Sequence, residues 1–414
     1  MASPLSVLTR NRDFRSLFAT QLVVFGADWF VMVPLLVLLP ELTGSGVWGA
    51  FVLAANTGIV ALLLPFTGTV ADRIDRKKII IAANLVALVS ALALLGVRSA
   101  ATAWLAVAAM VGVAVAKGFY SPAAQAALPN VLGPEELAGG NALAGSAWGT
   151  MTVVGASLGG LLSAAFGPYT CFWIAAVSLA LAALLAGRIR RPLQSHVGDG
   201  EPARQTLGAI GEALRYIARR PRVLALVTVK SAVGLGNGVL TVFPLLAGVY
   251  GVGPIGTGLL FGARGAGALV GPMLMRRVLA RRSWLLPGMA ISMTVYGLAY
   301  LGVSVAAWFP LVLVLIFVAH FAGGSNWTMS YFALQTEVPD RLRGRVFATD
   351  MMLATLSISI SQLVVAAVVD QIDERIVVAG CALTTMVYAI GWRLATRRLS
   401  LSDRPAESVA EQVG

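Results

Sequence analysis

Several ionisable side chains lie inside long apolar runs of this sequence, where they could carry out proton chemistry. Asp28 lies at the middle of the first run, and Gln21, Phe25 and Met32 share its face at helical spacing. A carboxylate removed from water holds its proton more tightly, so it can be neutral near pH 7 and act as a proton carrier. The alternative is a permanent ion pair with a basic residue of another run. The residues alone leave both interpretations open.

Three basic residues and a histidine also fall within apolar runs. Lys230 and Lys117 lie close enough to the ends of their runs for the ammonium groups to reach the interface along their flexible stems. Arg264 is deeper and flanked by glycines, so we expect it to pair with Asp28 or with an anionic group of a substrate. His320 either bonds a neighbouring helix or contacts a substrate or a proton. The remaining candidates for a substrate cavity are Asn237, Asn326 and Trp327.

The composition requires that these runs lie in a membrane. The chain has 414 residues, of which 58% are hydrophobic and only 12% charged, and its mean hydropathy is +0.82. The charges are clumped between apolar stretches of roughly 18–25 residues, each of which spans a hydrocarbon core of about 30 Å as a helix. The sequence therefore predicts an all-α polytopic membrane protein.

Twelve spans are predicted, and basic residues orient them. The spans are 16–39, 47–70, 79–97, 102–123, 140–166, 168–187, 223–249, 254–275, 284–304, 307–331, 346–369 and 376–395. Outside the spans, Arg98 and Arg375 are the two basic residues on one side, and all others fall on the opposite side. Cytoplasmic loops carry the excess of Lys and Arg, so both termini are predicted to be cytoplasmic.

The longest connection divides the spans into two sets of six. The predicted organisation is a bundle at 1–187, a cytoplasmic linker at 188–222, a second bundle at 223–398 and a tail at 399–414. The linker contains "TLGAIGEALRYIARRPR", an amphipathic segment expected to lie on the cytoplasmic membrane surface, with a helix packed on the loops as the alternative. "GPEELAGGNA" after span 4 is echoed by "VPDRLRGRVF" after span 10. Two related halves favour alternating access to a site near the midplane.

The loop between spans 2 and 3 is the most highly charged short segment of the chain. It reads "GTVADRIDRKK" and resembles the loop motif of the major facilitator superfamily. The matching residues are Gly68, Asp72, Arg73, Arg76, Lys77 and Lys78. The resemblance implies two pseudo-symmetric six-helix bundles. The stretches "NRDFRSLFATQLVVFGADWF", "SPAAQAALPNVLGPEELAGGNAL" and "EALRYIARRPRV" are similar to the drug:proton antiporter branch, which includes macrolide exporters, siderophore exporters and lysophospholipid transporters.

The resemblance implies a gate at this loop. A carboxylate is favoured at the positive end of a helix dipole, and in the resembling family the partner of the position of Asp72 is the start of span 11. We expect Asp350, near that start, to join the gate beside Arg73 or Arg345. The alternative is that the loop charges only enforce topology. "GASLGG" in span 5 is similar to the family's antiporter motif, with Ala156 replacing proline.

These observations predict a secondary active transporter and not an enzyme. The expected function is proton-coupled export of amphipathic or hydrophobic small molecules. The alternatives are a dedicated exporter or flippase for a lipid, lysophospholipid or siderophore, or a membrane sensor without transport. No Gly-x-x-x-x-Gly-Lys-Ser/Thr loop exists to bind nucleotide. We expect no cofactor, no metal and no nucleic acid. The predicted partners are substrate, protons and the bilayer, for a monomer in the bacterial cytoplasmic (inner) membrane.

Overall fold

The computed structural model describes residues 4–133, 135–194, 206–274 and 282–399. Within these ranges the chain is helical and contains no strand. The surroundings of Gly68 and the side chain of Asp72 lie outside the described part of the structure. The all-α prediction is confirmed.

The spans follow the predicted order, and several of them, including spans 1, 4 and 10, are longer than the sequence suggested. Spans 1 to 6 are Arg12–Thr43, Val47–Arg73, Arg76–Ala93, Ala103–Val131, Leu137–Phe166 and Pro168–Gly187. Span 7 is Pro221–Gly236, continued by the 3-10 turn Asn237–Val242 and the helix Phe243–Val249. Spans 8 to 12 are Gly253–Leu274, Leu285–Val305, Phe309–Glu337, Asp340–Ala366 and Glu374–Thr396. Short helices at Pro4–Arg10 and Thr206–Arg219, and 3-10 turns at Leu94–Gly96, Ala100–Thr102 and Arg282–Trp284, complete the described elements.

Length and composition agree with a membrane protein that crosses the bilayer many times. Among the described residues, 11 helices are long and apolar enough to span a membrane. The remaining predicted span is present as Gly253–Leu274, and its many glycines together with Arg264 lower its hydropathy.

The chain forms two compact units. One contains residues 1–203 and 247–262, and the other contains residues 204–246 and 263–414. In the first unit, span 1 packs on spans 5 and 6, and span 3 packs on spans 4 and 6. In the second unit, span 7 packs on spans 11 and 12, and span 9 packs on spans 10 and 12. The same pairings recur six spans later, as expected for two pseudo-symmetric bundles. The boundaries predicted for the linker and tail stay predictions.

The linker helix Thr206–Arg219 packs on the protein through its apolar face. It contacts spans 7 and 11, and Ala213 and Ile217 are buried. The carboxylate of Glu212 accepts a hydrogen bond from the guanidinium of Arg345. Leu214 remains exposed. The helix thus packs on spans of the second unit, and its expected place at the membrane surface stays a prediction.

Glycines bring span 7 against its neighbours in the second unit. A Cβ on Gly234 would lie 2.9 Å from Ser357 Cβ, and one on Gly238 would lie 2.5 Å from Ser361 Oγ. The backbone N–H of Gly238 donates to Ser361 Oγ at 3.0 Å. Small residues allow helices to approach closely in a membrane. This close approach places the middle of span 7 directly beside span 11.

Gly238→Ala is expected to destabilise the protein. The new methyl group would also lie 2.8 Å from Ser361 O and from Val365 Cγ2, so the two helices must separate. Overpacking of this kind costs about 1–3 kcal/mol. Gly380→Ala is the matched control, because a Cβ there has no neighbour within 4 Å. Thermal unfolding of the detergent-purified variants measures the difference, and equal midpoints would contradict the packing argument.

Candidate functional site

An ion pair joins spans 1 and 4 in the first unit. Lys117 Nζ donates to Asp28 Oδ2 at 2.6 Å, and the two side chains are 29% and 20% exposed. Asp28 is therefore ion-paired in this structure, and Lys117 supplies the cation in place of the anticipated Arg264. The expectation that Lys117 anchors at the interface was wrong. Span 4 continues to Val131 and not to residue 123, so Lys117 lies at its middle, beyond the reach of snorkelling.

A small cavity adjoins this ion pair. It encloses about 20 Å³, which is room for one water molecule, and Asp28, Lys117, Asn84 and Tyr120 contribute its polar lining. Asn84 Nδ2 and Tyr120 Oη are buried and have no hydrogen-bond partner among the described residues. Two further polar groups therefore face the ion pair from spans 3 and 4. The sequence analysis missed both, although an asparagine within an apolar run was a usable signal.

The other span 1 candidates do not line this cavity. Val24, Ala27 and Val31 supply the span 1 wall beside Asp28. The amide nitrogen of Gln21 donates to Ala144 O of span 5 at 3.3 Å. The other two candidates are Phe25, which is partly buried, and Met32, which is buried. The cavity therefore lies on the face of span 1 that is adjacent to the predicted one.

A second ion pair joins spans 7 and 11 in the other unit. Lys230 Nζ donates to Asp350 Oδ2, and both side chains are completely buried. Lys230 was expected to reach the interface, but it is completely buried and does not reach water. Asp350 was expected beside Arg73 or Arg345 in the gate, and within its own unit it pairs with Lys230. Span 11 begins at Asp340 and not at residue 346, so Asp350 lies about 15 Å along the helix. Lys230 lies at a similar distance from Pro221, the start of span 7.

Aromatic rings of span 10 surround the second pair. Lys230 Nζ lies 5.2 Å from the ring centroid of Trp327 and 5.9 Å from that of Tyr331. Both distances are within the range of cation–π attraction. Tyr331 packs against Phe347 with tilted rings and a centroid separation of 4.5 Å. Asp350 Oδ1 has no hydrogen-bond partner among the described residues. The ammonium thus has one carboxylate oxygen and two aromatic faces as partners.

His320 belongs to a buried aromatic cluster in the second unit. Its Nε2 is 2.8 Å from the hydroxyl of Tyr300 in span 9, and its ring meets that of Tyr296 edge to face at 5.4 Å. Arg264 interacts electrostatically with both tyrosines and with His320. The bond to a neighbouring helix is the structural alternative considered for His320. Arg264 therefore belongs to a polar cluster with His320, Tyr296 and Tyr300 in the second unit.

The two asparagine candidates hold helix backbones. Asn237 Nδ2 donates to Val233 O at 2.8 Å, and Asn326 Nδ2 donates to Met289 O at 3.2 Å. Both residues are buried, and both carboxamide oxygens lack a hydrogen-bond partner in the described part of the chain. Asn326 therefore links span 10 to span 9, whereas Asn237 bonds within span 7, and each keeps one acceptor unused.

The charged loop binds carbonyl groups at the ends of helices. Arg76 donates to Ala71 O at 3.2 Å, to Ala126 O at 2.7 Å and to Leu193 O at 3.2 Å. Lys77 Nζ donates to Ile189 O at 2.8 Å. Helix ends leave carbonyls without partners, and cations are favoured there. The loop therefore fixes the segment that follows span 6, a role the sequence analysis did not assign.

The remaining members of the predicted gate are Arg73, Gly68 and Asp72. Arg73 is exposed. The side chain of Asp72 and the surroundings of Gly68 lie outside the described part of the structure, so the latch between Asp72 and span 11 stays a prediction.

The "GASLGG" segment of span 5 makes close contacts with span 1 and with the start of span 8. Residues 247–262, which include the start of span 8, belong to the first unit. A Cβ on Gly160 would lie 2.5 Å from Pro254 O, and one on Gly258 would lie 2.6 Å from Ala156 O. A Cβ on Gly159 would lie 2.9 Å from Trp29 O of span 1. The glycines are thus required for close helix packing. Ala156 occupies the place of the family's proline without interrupting the helix.

Comparison with known proteins places these features in a family. Residues 17–349 match the family model described as Major Facilitator Superfamily. The chain belongs to the Major Facilitator Superfamily. It is therefore a multi-pass membrane protein of a transporter family.

One relative has a described activity. The chain is 28% identical over 341 residues to the multidrug efflux pump Tap of Mycolicibacterium fortuitum, covering 76% of this chain and 78% of Tap.

Solved transporters share the fold at low identity. A bacterial homologue of the human lysosomal transporter Spinster, inward-facing and unoccupied, matches with a TM-score of 0.72 at 15% identity, over 94% of this chain and 98% of that chain. A POT family transporter in complex with a thioalcohol-conjugated peptide matches with a TM-score of 0.77 at 9% identity, over 94% and 96%. At these identities the likeness shows the fold alone.

Arg76→Gln is expected to release the segment after span 6. The variant loses charge-assisted hydrogen bonds to Ala126 and Leu193, worth about 1.5–3 kcal/mol. Limited trypsin digestion should therefore cleave after Arg190 roughly tenfold faster than in the wild type. Lys78→Gln is the control, because Lys78 is exposed and its change also removes one trypsin site. Equal cleavage in both variants would contradict the anchoring role.

Proposed function

We propose that this transporter exports amphipathic or hydrophobic small molecules in exchange for protons, with Asp28 as the proton carrier. The observation that supports it is the Asp28–Lys117 ion pair at the middle of two spans, beside a cavity with unused polar atoms. The described activity of Tap supports export of small molecules.

Proton binding would change the site in a defined way. A proton on Asp28 neutralises the carboxylate and weakens its attraction for Lys117. Asn84 Nδ2 and Tyr120 Oη line the same cavity and can donate hydrogen bonds to a carboxylate or to a water molecule. A substrate that binds well only to one charge state of the pair is then coupled to the proton by the difference between the two affinities. Exchange follows when proton and substrate disfavour each other.

Asp28→Asn is expected to abolish substrate-induced proton release. The amide keeps the shape of the carboxyl group but cannot exchange a proton. The measurement is proton release from detergent-purified protein between pH 6 and 8, using a panel of dyes, macrolides, siderophores and lysophospholipids. Glu135→Gln is the control, since Glu135 is exposed. Equal release from wild type and Asp28→Asn would overturn the assignment.

A double variant separates coupling from folding. Removing one partner of an ion pair inside the spans leaves an unpaired charge, which costs roughly 2.5–3.5 kcal/mol by insertion measurements. Asp28→Asn with Lys117→Gln removes both charges, so we expect it to recover stability lost by Asp28→Asn without recovering proton release. Proton release by the double variant would show that a residue other than Asp28 carries the proton.

We also propose that both termini face the cytoplasm across the bacterial inner membrane, on the distribution of Lys and Arg. Cysteines introduced as Ser195→Cys and Gln371→Cys should react oppositely with an impermeant thiol reagent in intact cells. The native Cys171 and Cys381 are buried, which keeps background labelling low. Labelling of both positions from outside would disprove this orientation.

A further inference from the structure

We propose that Asp350, Trp327 and Tyr331 form a binding site for the ammonium group of an amine-bearing amphiphile, and that Lys230 occupies this site as a tethered internal ligand. The proposal deepens the proposed function by naming a substrate class, and it rests on that function for the meaning of the site in transport. Binding itself can be tested without transport.

The geometry is that of an ammonium-recognition site. Three elements of the second unit contribute the carboxylate of span 11, the aromatic faces of span 10 and the lysine of span 7. Lys230 Nζ lies 5.2 Å and 5.9 Å from the centroids of Trp327 and Tyr331. Aromatic faces combined with a negative charge recognise organic ammonium groups. The lysine side chain, an ammonium on a four-carbon apolar stem, shows which chemistry the site accepts.

The charge balance requires a cation at this position. Asp350 is completely buried, and its Oδ1 has no hydrogen-bond partner among the described residues. A buried carboxylate without a partner is strongly disfavoured. If Lys230 withdraws, another cation must replace it or a proton must neutralise Asp350. An amine-bearing substrate can therefore exchange with the lysine without changing the buried charge.

The first ion pair lacks these features and serves as an internal contrast. Asp28 and Lys117 are partly exposed, and no aromatic ring within cation–π distance of Lys117 is found in the described part of the structure. A small cavity with polar walls adjoins it instead. The two pairs thus differ in the chemistry that surrounds the ammonium.

The test is chemical rescue of Lys230→Ala by free alkylammonium ions. The variant leaves Asp350 unpaired and vacates the volume of the lysine stem. Propylammonium or butylammonium should raise the thermal midpoint of the purified full-length variant in a saturable manner, and butanol, of similar shape but neutral, should not. Because cation–π attraction is strongest at desolvated sites, we expect the variant to bind butylammonium about tenfold more tightly than Lys117→Ala does.

Two controls define the site. Lys230→Ala combined with Asp350→Ala should lose the response, because the carboxylate is gone. Lys230→Met should not respond either, because the methionine fills the space of the lysine stem. A response of Lys230→Ala that persists without Asp350, or an equal response of Lys117→Ala, would overturn the proposal, as would the absence of any response to alkylammonium.

A second comparison applies if Lys230→Ala does not fold. Trp327→Leu keeps the ion pair and removes one aromatic face. Its affinity for a lipophilic amine, relative to the wild type, should fall about tenfold, with the affinity for the N-acetylated, neutral compound unchanged. Equal losses for both compounds, or no loss for either, would overturn the proposal. Failure of proton release at Asp28 would leave this result unaffected, so the two proposals fail separately.

Discussion

A charge inside a membrane must be compensated, and this requirement shapes both units of the structure. A charged side chain at the centre of a span costs roughly 2.5–3.5 kcal/mol by insertion measurements. Each unit meets that cost with an ion pair in which the acid and the base come from different spans and lie side by side. The pairs are Asp28 with Lys117 and Asp350 with Lys230. The helices must then hold a fixed register relative to each other, because sliding either one would separate the charges. Glycines at the span 7–11 contact allow the required approach.

The sequence predicted the fold and the important charges more successfully than their partners. Apolar runs predicted the twelve spans, basic loops predicted their orientation, and the charged motif indicated the family. Asp28 lies at the middle of its helix, as predicted. The partners were missed because a pair between helices depends on helix length and rotation, which hydropathy does not report. Lys117 and Asp350 were assigned to interfaces only because spans 4 and 11 extend further than their apolar cores. Polar residues at helix ends lower the hydropathy there without ending the helix.

The charged loop shows how one motif meets several physical demands. Its cations agree with the topology rule, yet Arg76 and Lys77 also bind carbonyls at the ends of spans 2 and 4 and after span 6. Hydrogen bonds of this kind depend on the tertiary approach of segments more than 100 residues apart, as between Lys77 and Ile189. Sequence patterns identify the donors, whereas only the folded unit identifies the acceptors.

The two ion pairs do not follow the internal repeat. In the first unit the acid is on the first span and the base on the fourth, whereas in the second unit the base is on the first span and the acid on the fifth. The packing of spans does repeat between the units. A pair inherited from a shared six-helix ancestor would join equivalent spans in both halves. An evolutionary history that begins with gene duplication therefore has to place the gain of at least one pair after the duplication, when the halves had already begun to specialise.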